Sequence, residues 1–118
     1  MPNAPRDTLQ AYRDEELLAD VIAALIGDAR HVAIGASSPI PAAAALLARE
    51  RGNGRPYVSL LGSRRQSFFT DGGRELFDCA GQGRIDAFFL SGAQIDGQAN
   101  INLVSIGSYA HHKARFPG

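Results

Sequence analysis

Two short apolar runs, His31-Val32-Ala33-Ile34-Gly35 and Tyr57-Val58-Ser59-Leu60-Leu61, bracket a segment of helical period. This arrangement restricts the chain more than any other feature. Ser38 precedes Pro39, a cap followed by a proline at the first helical position. Ile40, Ala43, Ala44 and Leu47 then recur at i, i+3, i+4 and i+7, and Gly52 and Gly54 stop the pattern. A strand, a helix and a strand joined by short links form a βαβ unit, whose crossover is right-handed and whose strands are parallel. Upstream, Leu17, Leu18, Val21, Ile22, Leu25 and Ile26 make one helical stripe behind Asp14, Glu15 and Glu16, whose charge suits a helix N-terminus. A helix over 14–27 is expected, with that stripe facing the core.

The same reading continues downstream. Residues 62–73 form a loop, and the Phe68-Phe69 pair inside it calls for burial. A short helix over 74–80, a third strand over 85–90 and a fourth over 101–106 follow. Alternating helices and apolar strands give an α/β class with a largely parallel sheet. Residues 1–13 read as a flexible lead-in, and residues 14–118 as one α/β domain.

The 118 residues, 45% of them hydrophobic and 20% charged, suit one domain with its own core. Twelve basic residues balance twelve acidic ones, so the basic footprint of a nucleic-acid binder is missing, as is that of an anionic-membrane binder. The single cysteine, Cys79, has no internal disulfide partner and reads as a small buried hydrophobe. The apolar stretch from Leu17 to Ile26 is broken by Asp20 and is shorter than a membrane span. The N-terminus lacks the basic-then-apolar order of a signal peptide. A soluble cytoplasmic protein is therefore expected.

In parallel α/β sheets, ligands bind beyond the carboxyl ends of the strands. Four glycine-containing loops fall there: 35–38, 62–65, 91–97 and 107–112. The first opens a helix N-terminus whose N–H groups suit an anion, although its spacing is not the dinucleotide fingerprint and an ordinary capped helix is the stronger reading of this segment alone. The third gathers Gln94, Asp96, Asn100 and Asn102, which either pin a turn or line a site. His111-His112 lacks metal-ligand spacing, and no serine sits in a nucleophile elbow. Arg64-Arg65 reads as a solvated pair or a phosphate contact.

The run Phe89-Leu90-Ser91-Gly92-Ala93-Gln94-Ile95-Asp96 is followed by Asn100-Ile101-Asn102, Ser105-Ile106-Gly107-Ser108-Tyr109 and Lys113-Ala114-Arg115-Phe116-Pro117-Gly118. In order and spacing these segments resemble the β subunits of family I CoA-transferases, those of the glutaconate type in particular. A weaker match upstream extends the resemblance over about residues 14–118. It implies a fold of the CoA-transferase and sugar-phosphate-isomerase type, with this chain as its N-terminal part. It also implies an α-type partner subunit in a hetero- or homo-oligomer, and an acyl-CoA thioester as substrate with no tightly bound cofactor or metal. By the same resemblance, a glutamate attacks the thioester to give an acyl anhydride, and the CoA thiolate returns to form an enzyme thioester. Substrate contacts carry over to Gly35, Ser37, Ser38, Gly62, Gly92 and Gln94.

Two departures stand out. The position of the family's glutamate falls on Leu60 or Leu61, and no acid lies between Glu50 and Asp71. The chain also stops at Gly118, where family subunits run on, so a truncated domain is expected. The reading is a β-type subunit that transfers CoA between carboxylic acids or otherwise cleaves an acyl-CoA. The alternative is a catalytically silent subunit or fragment that keeps fold and interface alone.

Overall fold

The computed structural model describes residues 11–116. The elements run α1 (Asp14–Ile26), β1 (His31–Ile34), α2 (Pro39–Arg51), β2 (Tyr57–Leu60), α3 (Gly72–Gly81), β3 (Ala87–Phe89), β4 (Gln94–Ile95), β5 (Ile101–Asn102), β6 (Ser105–Gly107) and β7 (His112–Arg115). Of the expected lead-in, residues 1–10 lie outside the described residues, and 11–13 precede α1 without regular structure.

The α/β class and the parallel sheet stand. β1 is central, with β2 and β3 parallel on either side. Strand residues alternate between two faces. Val32, Ile34 and Val58 share one face and pack with Ala45 and Ile26, so α1 and α2 cover that side. His31, Ala33, Tyr57 and Ser59 point to the other. Ala33 and Ser59 are fully buried there, and the 62–71 loop folds back over this face. Leu60 N–H donates to the Gln66 carbonyl, and the Phe69 ring stacks on His31 with 5.7 Å between centroids.

Four expectations are corrected. First, the bulky stripe of α1 faces the core only along Ile22 and Ile26. The helix buries Ala19, Ala23 and Ile26, whereas Leu17, Leu18, Val21 and Leu25 are exposed, Leu25 by 80%. Small residues permit the close approach: Ala19 and Ala23 pack on Ala44 of α2. Second, Phe68 stays 59% exposed, so the Phe68-Phe69 pair is only partly covered, against His31 and Tyr57. Third, residues 101–106 are not one strand. Asn102 Oδ1 accepts from the N–H groups of Val104 and Ser105, which turns the chain between β5 and β6. The outcome is two antiparallel hairpins, β4–β5 and β6–β7, outside the parallel sheet. Fourth, Cys79 is half-buried rather than buried. The radius of gyration, 17.3 Å, exceeds the roughly 13 Å of a compact domain this long, as expected when hairpins project from a body.

Candidate functional site

The carboxyl ends of the three parallel strands meet in a row. Leu61 N–H donates to the Ile34 carbonyl at 3.0 Å, and Gly35 N–H donates to the Phe89 carbonyl at 2.9 Å. The loops that leave β1, β2 and β3 therefore start side by side. Gly35 fits this edge because it lacks a side chain: a Cβ there would stand 3.2 Å from the Phe89 carbonyl oxygen. Ser37 is exposed and sits at φ 58°, a left-handed conformation. Ser38 takes the N-cap position of α2, and its carbonyl accepts from Ala42 N–H, but its hydroxyl caps nothing. Gly62 turns at φ 84° with open space around it.

Leu60 and Leu61 occupy the end of β2. Leu60 packs against the core, and its carbonyl accepts from Ser63 N–H in the turn that follows. Neither residue offers a nucleophile, base or charge. Asp71 sits at the N-cap position of α3, where its N–H donates to Glu75 Oε2, and Glu50 is exposed in the last turn of α2.

The polar segment after β3 becomes the β4–β5 hairpin, with Gln94 opposite Asn102. Asp96 Oδ1 accepts from Gln98 N–H and Asn100 N–H, and Asp96 Oδ2 accepts from the Asn100 amide. These bonds, the Asn100 side chain first, hold the Asp96 carboxyl below its ordinary pKa. Asp96 and Asn100 thus pin the turn. Gln94 differs: it is exposed, its Oε1 accepts from Asn102 Nδ2 at 2.8 Å, and its Nε2 has no partner among the described residues. Gly92 lies against this pair, and a Cβ on it would collide with Ile101 Cγ2. No hydrogen bond among the described residues joins Gln94 to the 35–38 or 62–65 loops. The fourth expected loop, 107–112, is the turn of the β6–β7 hairpin and does not close a parallel strand.

One pairing has no signal in the sequence. His31 Nε2 lies 2.8 Å from Ser59 Oγ. The two residues belong to neighbouring strands two register positions apart, so only the parallel pairing brings them together. It is no hydrolase centre. Ser59 is fully buried, and the Asp86 carboxylate accepts from the backbone N–H groups of Arg30 and His31 rather than from the imidazole. Among the described residues, no three His, Cys, Asp or Glu side chains gather as metal ligands.

A cleft of about 540 Å³ opens at the opposite end of the sheet, between the C-terminal ends of α1 and α2. Its floor is alanine and glycine, and Arg30, Arg51 and Arg55 line it. Arg30 is ion-paired with Asp86 and Arg51 with Asp20. Helix C-termini present carbonyls that disfavour anions. The strand-end loops are therefore the stronger candidate site.

No family model matches the sequence, and no curated protein does. Solved structures do match. Glutaconate coenzyme A-transferase from Acidaminococcus fermentans superimposes over 92% of this chain and 50% of its own, with a TM-score of 0.67 and 23% identity. The decarboxylase AibA/AibB superimposes over 88% of this chain and 51% of its own, with a TM-score of 0.67 and 24% identity. The chain has the fold of these proteins and spans about half the length of the chains it matches. No helix among the described residues is long and apolar enough to cross a membrane.

Proposed function

We propose that this chain, which has the CoA-transferase fold, is a β-type subunit of an enzyme that processes acyl-CoA together with an α-type partner. The fold likeness carries the reading, and the row of glycine-bearing strand ends supports it. In this reading the thioester lies across the 35–38, 62–65 and 91–94 loops. Gln94 and the backbone at Gly92 hold its carbonyl, and the N–H groups at Ser37 and Ser38 face negative oxygen as charge develops there, while Gly35, whose N–H holds the Phe89 carbonyl, lets the backbone come close. Gly62 lets the loop after β2 pass close to the acyl group.

Leu60 and Leu61 set the chemistry apart. With no carboxylate at the end of β2, this chain supplies no nucleophile for an anhydride, so an acyl-CoA is cleaved by other groups of the complex. A second reading rests on the same leucines: a silent subunit that keeps fold and interface and turns nothing over.

The test is to co-purify the chain with its partner and assay acyl-CoA cleavage and CoA transfer to carboxylic acids. Cleavage without transfer is the expected result. A stable complex with no turnover favours the silent subunit. Leu61→Glu then probes the mapping. The new carboxylate attacks the thioester carbon as the C–S bond breaks and CoA leaves as thiolate, so transfer is gained. No gain from Leu61→Glu or Leu60→Glu in a folded complex overturns the placement of the site.

A further inference from the structure

We propose that Asn102 is a positioning residue that fixes which end of the Gln94 carboxamide faces outward, so that Gln94 offers a donor and the ligand group opposite it is an acceptor oxygen. The identity of the ligand rests on the acyl-CoA reading above; the geometry of the Asn102–Gln94 pair does not.

The geometry begins with Asn102. Its Oδ1 accepts from Val104 N–H at 3.1 Å and from Ser105 N–H at 3.4 Å. Its Nδ2 donates to the Ser105 carbonyl at 2.7 Å. Reversing this amide would set oxygen against carbonyl oxygen and NH2 against two N–H groups, so the backbone decides its orientation. The remaining Nδ2 hydrogen points across the β4–β5 pair and requires an acceptor there. Gln94, its register partner, supplies Oε1 at 2.8 Å. Nε2 of Gln94 is therefore the end left for solvent or ligand. A thioester carbonyl or a carboxylate fits that donor; a hydroxyl or amide N–H offered as a donor does not.

Asn102→Asp tests this. The aspartate keeps an acceptor for Val104 and Ser105 N–H, loses the bond to the Ser105 carbonyl, and presents a carboxylate to Gln94, whose amide then turns inward to donate and shows Oε1 to the ligand. Binding of acetyl-CoA to the complex is measured by calorimetry, with CoA alone as the control. The expected result is roughly tenfold weaker acetyl-CoA binding, the size of one lost hydrogen bond, and unchanged CoA binding. Gln94→Ala should lose a similar factor, and the double variant should be no worse than Gln94→Ala, because Asn102 acts through Gln94. A purely structural role for Asn102 predicts additive losses that include CoA.

If Asn102→Asp does not fold, Gln94→Glu replaces it. Asn102 Nδ2 still holds one carboxylate oxygen, the other faces the ligand, and the same selective loss follows. Equal acetyl-CoA affinity in wild type and variants overturns the proposal. No acetyl-CoA binding by the wild type overturns the acyl-CoA reading instead. The polarity of Gln94 is then read from its side-chain NH2 resonance in the full chain. Fast exchange with water in the wild type and protection in Asn102→Asp uphold it; equal exchange in both overturns it.

Discussion

The Nε2 of His31 and the Oγ of Ser59 stand 2.8 Å apart beneath the Phe69 ring, so one contact ties β1, β2 and the returning loop together. Burial lowers the His31 pKa below its ordinary value, and the Asp86 charge and the Arg84 backbone oppose that only in part. Below the ordinary histidine pKa of about 6.5 the unfolded chain binds the proton more readily than the folded one. Stability should therefore fall as pH drops from about 6.5 toward the lower folded value. His31→Gln keeps a partner for Ser59 and does not titrate. Urea midpoints across this range should slope for the wild type and flatten for the variant; equal slopes would remove His31 as the source.

The acid limb has a different origin. Asp86 accepts from the Arg30 guanidinium and from the N–H groups of Arg30 and His31, and these bonds, the Arg30 side chain first, depress its pKa. A depressed carboxyl stabilises the fold above its unfolded pKa of about 3.9, and that contribution is lost as pH falls through the folded value. Asp86→Asn should lower Tm at neutral pH and reduce the loss between neutral and acid pH. Thermal melts at pH 7 and pH 3 check both.

At Gly92 the obstacle is steric. A methyl group would run into Ile101 Cγ2 and stand 3.3 Å from the Asn102 carbonyl oxygen. Gly92→Ala should cost about 1–3 kcal/mol, the usual range for overpacking. Adding Ile101→Ala removes the colliding carbon and should recover part of the loss. Chemical denaturation of both variants separates this clash from a general effect of alanine.

On α1 the large and small residues exchange their customary roles. Leu25 is 80% exposed, and Leu25→Ser should change stability by no more than about 0.5 kcal/mol. Ala23 is buried at the contact with α2, and Ala23→Leu should cost about 1–3 kcal/mol by forcing the helices apart. Denaturation curves showing the reverse order would mean that the stripe, not the alanines, faces the core.

These two positions also mark where the sequence ceases to inform. Period and capping placed α1 and α2 to within a residue or so, because local hydrogen bonding and apolar spacing act on neighbours along the chain. Which face of α1 turns inward was not legible. Both faces are apolar, and the choice depends on alanines of another helix. The break after Asn102 was hidden in an apolar run, since it is made by one side chain bonding back to the chain. At the site, the strand-end glycines and the Gln94 cluster were visible as composition. The direction of the Gln94 amide and the His31–Ser59 contact were not, because strand register creates both.

Asn53-Gly54, Asp71-Gly72 and Asp96-Gly97 are the three sequences here most open to chemical ageing, since glycine lets the next backbone nitrogen attack the side chain through a cyclic imide. That attack on aspartate proceeds through the neutral acid. The three bonds that Asp96 accepts keep it ionised and hold its carboxylate toward Gln98 and Asn100. The hairpin turn is thereby shielded from isomerisation, and a stored sample should register its damage at Asn53 first.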